Sequence, residues 1–334
     1  MRIARPALAL SLVAAFCPSA HATPEEARAW LARMSEALAT REYDGLFTHS
    51  NRRQSETMRI VHRMEGAYSV ERLVSLDGSG REIVRTPREV HAYLPDRGVV
   101  LVEPRTDGGS LLKALPRPGA ELDAQYLLKV RGGSRLLGRE VRIIEIRPRD
   151  AYRYGYRLWL DEKTAMPLRS EICDQAGRPV ERIQFSKLDM HTNMPASETE
   201  PSVDASGFRW VRSARPGSDR RVAMAAAGWR PLKVPPGFRL VGSRVQSLPG
   251  HPMPVQHLVF SDGFASVSVF IEPGSRTAPA PAEASRMGAA STFTTTVRGY
   301  MITAVGEVPP TTVRDIATSL APVADAGVTP PPAR

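Results

Sequence analysis

The feature that most constrains the fold is a series of short runs in which apolar and polar residues alternate, separated by Gly, Asp, Pro and Asn. The clearest pair lies within residues 257–272, where two apolar runs flank a Ser261-Asp262-Gly263 turn. Alternation with a period of two places successive side chains on opposite faces of a strand, and short turns join neighbouring strands antiparallel. The pattern predicts a mainly β protein with antiparallel sheets, of the α+β class because a few helices accompany the strands.

The predicted elements form two groups along the chain. The first group contains strands over residues 43–48, 57–64, 68–75, 82–85, 90–94, 99–102, 139–147, 154–161, 166–174 and 180–188. The second contains strands over residues 229–232, 238–246, 255–260, 265–271 and 300–305. Apolar residues spaced three and four apart predict helices over residues 24–39 and 310–320, and shorter helices are predicted over residues 110–115 and 120–130.

The first residues have the layout of a secretory signal. Arg2 and Arg5 precede an apolar core over residues 7–16, and Ala20-His21-Ala22 fits the small-x-small rule for cleavage. Cleavage after Ala22 predicts an exported, periplasmic protein. Cys173 is then the one cysteine that remains, so no internal disulfide can form, and a half-buried strand position is the expected role of this residue.

The length predicts two domains, because roughly 310 residues remain after cleavage and single cores seldom organise so many. Residues rich in Pro and acids, with few large apolar side chains, indicate an exposed linker between the domains. The predicted division is a signal peptide over residues 1–22, a first domain over 23–193, a linker over 194–206, a second domain over 207–322 and a disordered tail over 323–334.

The charge is uneven between the two predicted domains. The first holds 29 Lys and Arg against 25 Asp and Glu, whereas the second holds 13 against 6. Nucleic acid is the usual partner of such a basic surface, but export argues against it, and the polyanions of the envelope are phosphorylated glycolipids, anionic bilayers and acidic proteins. The alternative is that these arginines are a solvated surface with no partner.

Motifs for catalysis are missing from the sequence. There is no Gly-x-Ser-x-Gly elbow, no phosphate-binding loop, no dinucleotide fingerprint and no His-Glu-x-x-His zinc motif. Isolated histidines on strands are more often structural than ligands. The sequence therefore favours a binding protein that needs no metal or cofactor, over an enzyme.

One strand, over residues 153–160, has two faces of different chemistry. Tyr154, Tyr156, Leu158 and Leu160 alternate with Arg153, Gly155, Arg157 and Trp159. One interpretation is an ordinary strand whose arginine stems cover the sheet while their charged ends stay in water. The other is a site for an amphiphile, with aromatic side chains against acyl groups and guanidinium groups against phosphate or carboxylate.

Ordered motifs in both halves carry a family resemblance. In the first half they are Tyr43-x-Gly45, Arg59-Ile60-x-His62, Glu71-Arg72-Leu73, Asp77-Gly78 and Arg153-Tyr154-Gly155-Tyr156 with Trp159 and Asp161. In the second half they are Pro236-Gly237-Phe238, Ser261-Asp262-Gly263, residues 265–270 and Gly306-Glu307-Val308-Pro309 with Thr312. On these motifs the chain resembles the RseB/MucB family of periplasmic regulators of the sigma-E envelope-stress response.

The resemblance implies both an architecture and a function. The first domain is expected to be an unclosed antiparallel barrel with helices, similar to the lipoprotein carriers LolA and LolB, followed by a smaller antiparallel-sheet domain. Such proteins bind the periplasmic part of a membrane-anchored, RseA/MucA-like anti-sigma factor and protect it from site-1 proteolysis. Lipopolysaccharide or another envelope lipid would cause release, and a homodimer is also implied. The alternative is a periplasmic lipid or lipoprotein carrier without a regulatory partner.

Candidate site residues follow from the strand patterns and the resemblance together. The candidate lipid-binding residues are Phe47, Ile60, Leu73, Arg153, Tyr156, Arg157, Leu158 and Trp159. The candidate partner-binding residues are Trp229, Arg230, Phe238 and Arg239, since aromatic and Arg anchors dominate many interfaces. Strand parity defines two faces without indicating which is concave. A swing between the domains about the 194–206 linker is the expected conformational change.

Overall fold

The computed structural model describes residues 23–78, 80–105, 122–191, 193–212, 228–246, 255–273 and 282–323. The predicted signal peptide, the predicted helix over residues 110–115 and all but the first residue of the predicted tail lie outside these ranges. Within them, no helix is both long enough and apolar enough to cross a membrane.

The N-terminal helix forms as predicted. Helix α1 (Pro24–Thr40) begins after Thr23, whose hydroxyl accepts a hydrogen bond from the Glu26 N–H at 3.3 Å, and proline occupies its first turn. One stripe of the helix is buried, consisting of Ala27, Leu31, Met34, Ala37 and Leu38. This stripe packs against the larger sheet, so the helix covers part of one face of that sheet.

Over the described residues, the larger sheet has twelve strands. In chain order they are β1 (Glu42–Asn51), β2 (Ser55–Glu65), β3 (Tyr68–Ser75), β4 (Glu82–Arg85), β5 (Glu89–Leu94), β6 (Val99–Pro104), β7 (Tyr126–Leu136), β8 (Arg139–Pro148), β9 (Gly155–Asp161), β10 (Pro167–Cys173), β11 (Pro179–His191) and β12 (Arg209–Arg212). Their spatial order is β12-β6-β5-β4-β3-β2-β1-β11-β10-β9-β8-β7. All neighbours are antiparallel except β12 and β6. The two edge strands do not pair with each other, which confirms the predicted open antiparallel sheet.

The two faces of this sheet differ. The inner face carries the large core, in which Phe47, Ile60, Leu158 and Phe185 are at most 2% exposed and belong to the same cluster as the buried stripe of α1. The outer face of β4 to β6 carries a smaller core of Val84, Tyr93, Val100 and Val102. The inner face is therefore the apolar side of the predicted receptor.

The second sheet is smaller and also antiparallel. Its six strands are β14 (Arg239–Gln246), β15 (Val255–Ser261), β16 (Ser266–Pro273), β17 (Glu283–Met287), β18 (Ala290–Val297) and β19 (Tyr300–Gly306), in the spatial order β14-β15-β16-β19-β18-β17. A separate pair consists of β13 (Trp229–Pro231) and β20 (Leu320–Pro322). A four-residue helix, α2 (Leu122–Gln125), precedes β7 in the first domain. Helix α3 (Pro310–Thr318) belongs to the second domain and packs on β18 and β19 through Val313, Ile316 and Ala317. The predicted hairpin within residues 257–272 is β15 and β16.

The helix predicted over residues 120–130 is wrong beyond Gln125. Strand β7 begins at Tyr126 and pairs with β8. Tyr126 and Leu128 are buried on the inner face, whereas Leu127 and Lys129 are exposed. The period of two across these four residues is the strand signal, and a short apolar run of this kind fits a helix or a strand equally well.

Most residues of the segment over 194–206 are exposed, but the segment is anchored to the first domain. Its Glu198 carboxylate pairs with Arg59 at 2.7 Å, and the Ser202 N–H donates to the buried Glu82 carboxylate at 3.1 Å. Val203 packs against the smaller core of the outer face, and the chain then adds β12 to the first sheet. Glu198, Ser202 and Val203 thus tie this segment to the first domain, so it is not a free hinge.

Candidate functional site

The turn between β15 and β16 inserts into the first domain. The Asp262 Oδ1 atom accepts hydrogen bonds from the N–H groups of Phe264 at 2.9 Å and Ala265 at 2.7 Å, and Gly263 adopts a φ of +91°. This turn presents the Phe264 ring to the inner face of the larger sheet, 5.1 Å from Tyr126 and 5.6 Å from Tyr156 between ring centroids. We call residues 261–265 the junction turn.

A buried ion pair holds the junction turn in place. The Arg153 Nε donates to the Asp262 Oδ2 at 2.5 Å, and both side chains are 0% exposed. The same guanidinium donates to the Asp150 carboxylate and to the Pro236 carbonyl, and it lies 5.0 Å over the ring of Phe238. Two acids and a carbonyl thus satisfy one buried cation, which is the arrangement that makes such a charge tolerable away from water.

The tyrosines beside the junction turn stay neutral. Burial, together with the negative charge of Asp262, raises the pKa of Tyr126 far above its ordinary value, and burial raises the pKa of Tyr156 in the same direction. The Tyr126 hydroxyl is therefore a donor, and it lies 3.4 Å from the Asp262 Oδ2. Both rings offer apolar surface with no charge, which suits contact with an aromatic ring or an alkyl chain.

A second contact joins the sheets through Glu181 of β11. Its carboxylate accepts a hydrogen bond from the Ala289 N–H at 2.9 Å and lies 2.6 Å from the His49 Nε2. Hydrogen bonding to Glu181 raises the pKa of His49. Burial acts to raise the pKa of Glu181, but the bonds from His49 and Ala289 lower it overall. Ala289 is itself fully buried in the core of the first domain.

A third contact lies at α3. The Thr312 hydroxyl donates to the Tyr152 carbonyl at 2.7 Å. The junction therefore combines a wedged aromatic ring, a buried ion pair and two hydrogen-bonded contacts, spread over both sheets. Separating the two sheets would expose or leave unpaired all of these groups at once.

The structure divides the candidate lipid-binding residues among three places. Phe47, Ile60, Leu73, Tyr156 and Leu158 lie on the inner face, in the core or against it. Arg153 is buried in the junction, so it is not available at the rim for a lipid head group. Arg157 and Trp159 lie on the outer face, with the Trp159 ring between the Arg157 guanidinium at 5.9 Å and the Arg169 guanidinium at 4.8 Å. These residues cannot all line one site, because neighbours along a strand, such as Arg157 and Leu158, face opposite sides of the sheet.

The candidate partner-binding residues are also divided. Trp229 and Phe238 are each 3% exposed in the core of the second domain, so neither can anchor a partner as the structure stands. Arg230 and Arg239 are exposed. Sequence reasoning missed Asp262, Phe264 and Glu181. An available signal was Phe264 itself, because a large aromatic ring beside the glycine of a hairpin turn needs a buried partner.

Two further findings concern reactive chemistry. The part of the chain that the structure describes holds no group of three or more His, Cys, Asp and Glu side chains arranged to bind a metal. Cys173 is buried, and burial raises the pKa of its thiol to about 11, so the reactive thiolate is scarce at neutral pH.

The contacts of this site are packing, ion pairing and hydrogen bonding between two modules, which is the chemistry of a two-module binding protein. Two family models match the chain: the MucB/RseB N-terminal domain over residues 26–203 and the MucB/RseB C-terminal domain over residues 223–321. The chain belongs to the MucB/RseB family, a family of regulatory binding proteins.

Curated relatives cover almost the whole chain. The sigma factor AlgU regulatory protein MucB of Pseudomonas aeruginosa is 33% identical over 306 residues, which are 90% of this chain and 92% of MucB. The sigma-E factor regulatory protein RseB of Escherichia coli is 28% identical over 322 residues, 93% of this chain and 96% of RseB.

Solved structures agree with these matches. MucB in the Pseudomonas aeruginosa MucA/MucB complex superposes with a TM-score of 0.71 at 30% identity, covering 90% of this chain and 99% of that one. A crystal structure of MucB described without MucA superposes with a TM-score of 0.61 at 29% identity, covering 90% and 98%.

Proposed function

We propose that this protein is a periplasmic regulator that binds the periplasmic part of an anti-sigma factor of the MucA/RseA type. Binding protects that factor from site-1 proteolysis, and an envelope lipid or lipopolysaccharide causes release. The observation that carries the proposal is family membership across both domains. The protein acts by occupancy and performs no catalysis.

The arrangement of the two domains supports assigning this structure to the partner-competent state. The chain superposes better on MucB in complex with MucA, with TM-scores of 0.71 and 0.70, than on the MucB structure described without MucA, at 0.61. The identities are nearly equal, so the difference arises from conformation more than from sequence. The closed junction is accordingly the state with high partner affinity in our proposal.

Release requires that the lipid prefer a different state. A ligand shifts an equilibrium only by its differential affinity for the two conformations. The junction turn supplies that difference, because Phe264 covers the inner face at Tyr156, one of the candidate lipid-binding residues. An acyl chain that reaches Tyr156 has to displace Phe264, so lipid binding and a closed junction exclude each other. This element replaces the 194–206 segment as the site of the conformational change.

The energies of the two states are comparable. Opening the junction lets water reach both Arg153 and Asp262, so the clearest cost is the lost burial of the Phe264 ring, at most about 1.5–3 kcal/mol. Burying a methylene group contributes about 0.8 kcal/mol, so an acyl chain that buries about two to four methylenes offsets that cost. Because Ile60 and Leu158 are 0% exposed in the core that they share with the stripe of α1, an acyl chain must also open this core to go deeper.

The test is calorimetric titration of the exported protein with the periplasmic segment of its anti-sigma factor, with and without lipopolysaccharide. We expect tight binding that lipopolysaccharide weakens, and slower cleavage of the segment by the site-1 protease in the complex. Absence of binding would refute the regulatory function. Recovery of lipoproteins and no anti-sigma factor from envelope extract would favour a carrier instead.

A variant separates the junction mechanism from partner binding itself. Phe264→Ala removes the wedged ring, so we expect weaker partner binding and release at a lower lipid concentration. Met287→Ala, at a side chain that is 73% exposed on β17, is the matched control and should behave like the unaltered protein. Equal lipid requirements for both variants would refute the role of the junction turn. A homodimer is part of the proposal and is tested by light scattering of the free protein.

A further inference from the structure

The outer face of strands β7 to β11 carries a concentration of cationic side chains. We call Lys129, Arg131, Arg147, Arg157, Arg169 and Arg182 the cationic array. All six occupy outward positions, since Lys129 is opposite Glu145, Glu145 is opposite Arg157, and Arg157 is opposite Glu171 in the strand registers. Arg182 follows opposite Glu171 on the next strand. Neighbouring strands lie about 4.8 Å apart, so the array extends for about 20 Å across five strands.

Two carboxylates organise this array without neutralising it. Glu145 accepts a hydrogen bond from Arg131 at 3.0 Å and forms an ion pair with Arg147 at 3.1 Å, and Glu171 accepts a hydrogen bond from Arg182 at 2.9 Å. These carboxylates are only 10% and 3% exposed, whereas the guanidinium-bearing side chains around them are 31–54% exposed. Six cations stand against two buried anions, which leaves four positive charges in excess, directed towards solvent.

The arginines have unused hydrogen-bonding capacity. Arg169 lies over the Trp159 ring, and its Nε is buried without a hydrogen-bond partner among the described residues. A guanidinium has five N–H donors, and one shared carboxylate oxygen uses few of them. A cavity of about 210 Å³ opens beside Arg147 and Arg157, next to the β10–β11 turn. Arginine groups held in this way match phosphate oxygens, which accept two N–H bonds at once.

We propose that the cationic array docks the protein on an anionic phospholipid bilayer. The charges spread over a sheet face and do not line a groove, which fits a surface that presents many phosphates. A protein partner is less suitable, because the aromatic anchor that would accompany the arginines in a protein interface, Trp159, is only 9% exposed. Leu127, 40% exposed on the same face, adds a single apolar contact at the edge of the sheet.

This site is distinct from the proposed acyl site. The array lies on the outer face, and the candidate acyl-contacting residues such as Ile60 and Leu158 lie on the inner face. Docking through the array would leave the junction turn on the opposite side of the sheet. The inference depends on the proposed periplasmic location in one respect, because that location determines which bilayer the array meets.

The test is co-sedimentation of the full exported protein with vesicles of phosphatidylglycerol or of phosphatidylcholine at low salt. The array variant is Lys129→Gln/Arg147→Gln/Arg182→Gln, which leaves Arg131 and Arg157 to pair with Glu145, and Arg157 to pair with Glu171. Each cation near an anionic bilayer contributes about fivefold in affinity, so three account for a loss of about 100-fold. The control is Arg88→Gln/Arg97→Gln/Arg314→Gln, which removes the same charge from exposed positions outside the array.

Three results together would support the proposal. The protein binds vesicles of phosphatidylglycerol and not of phosphatidylcholine, added salt weakens this binding, and the array variant loses it while the control variant does not. A variant with Arg147→Lys/Arg182→Lys keeps the charge and should retain binding, which guards against a folding defect in the glutamine variant. If the array and control variants lose vesicle affinity equally, net charge alone explains the binding, and the proposed site is wrong. Equal binding to both lipids, or binding of an acidic peptide at the array with no binding to vesicles, would overturn it as well.

Discussion

Replacement of Asp262 by Asn tests the junction most sharply, because it removes one charge and keeps the turn. The amide oxygen of Asn can still accept from the N–H groups of Phe264 and Ala265. Arg153 loses its fully buried partner and retains Asp150, which is 24% exposed, and the Pro236 carbonyl. Removing one partner of a buried pair costs about 3–5 kcal/mol, and the retained contacts place the expected cost near 3 kcal/mol.

Hydrogen exchange of the amides over residues 258–268 measures this cost locally. A loss of about 3 kcal/mol in junction stability corresponds to opening that is roughly 100-fold more populated, and the amides of the turn should exchange faster in proportion. Asp315→Asn is the control, since Asp315 and Arg314 form a pair that is 40% and 56% exposed and is worth under about 1 kcal/mol.

A second substitution checks the cause. If the cost arises from a buried, unpaired guanidinium, Arg153→Met in the Asp262→Asn background should restore at least about half of the lost protection, because the one charge then left behind is that of Asp150, which is 24% exposed. Exchange that changes less than about threefold in Asp262→Asn would refute the reasoning. So would a double variant that exchanges faster than either single variant.

Two other predictions concern pH and packing. Because the pKa of His49 is raised in the folded state by Glu181, the contribution of this pair is full below the ordinary histidine pKa of 6.5 and is lost as pH rises through the raised value. His49→Gln should therefore lower the melting temperature more at about pH 6 than at about pH 8, and equal losses would contradict the assignment. Gly45→Ala places a methyl group 2.4 Å from the Phe185 ring, so urea denaturation should show a loss of about 1–3 kcal/mol. Gly132→Ala, which meets nothing within 4 Å, should change stability by less than about 0.5 kcal/mol.

Most strands were predictable because a half-buried strand requires alternation. Residues 265–271 alternate cleanly, with Val267, Val269 and Ile271 buried, and the structure has β16 there. Strand β12 was not predictable, since its four residues acquire a strand conformation only by pairing with β6. Strands β17 and β18 were missed because Thr and Ser fill the positions where apolar residues would have marked one face.

The candidate site was less accessible to sequence reasoning than the fold. Parity correctly grouped Tyr156 with Leu158 and opposed them to Arg157, but it could not identify the concave face. The Arg153 and Asp262 pair joins positions 109 residues apart, and no local pattern encodes such a contact. Long-range pairs of this kind depend on how two sheets dock, which is decided by tertiary packing.

The most direct test of the regulatory account is the affinity for the anti-sigma segment before and after lipopolysaccharide is added, in protein whose junction turn is cross-linked to β7. The account predicts that the cross-linked protein binds the segment as tightly as the free protein and no longer releases it on lipid addition. Release that proceeds normally from the cross-linked protein would contradict it, because the closed junction would then have no part in the response.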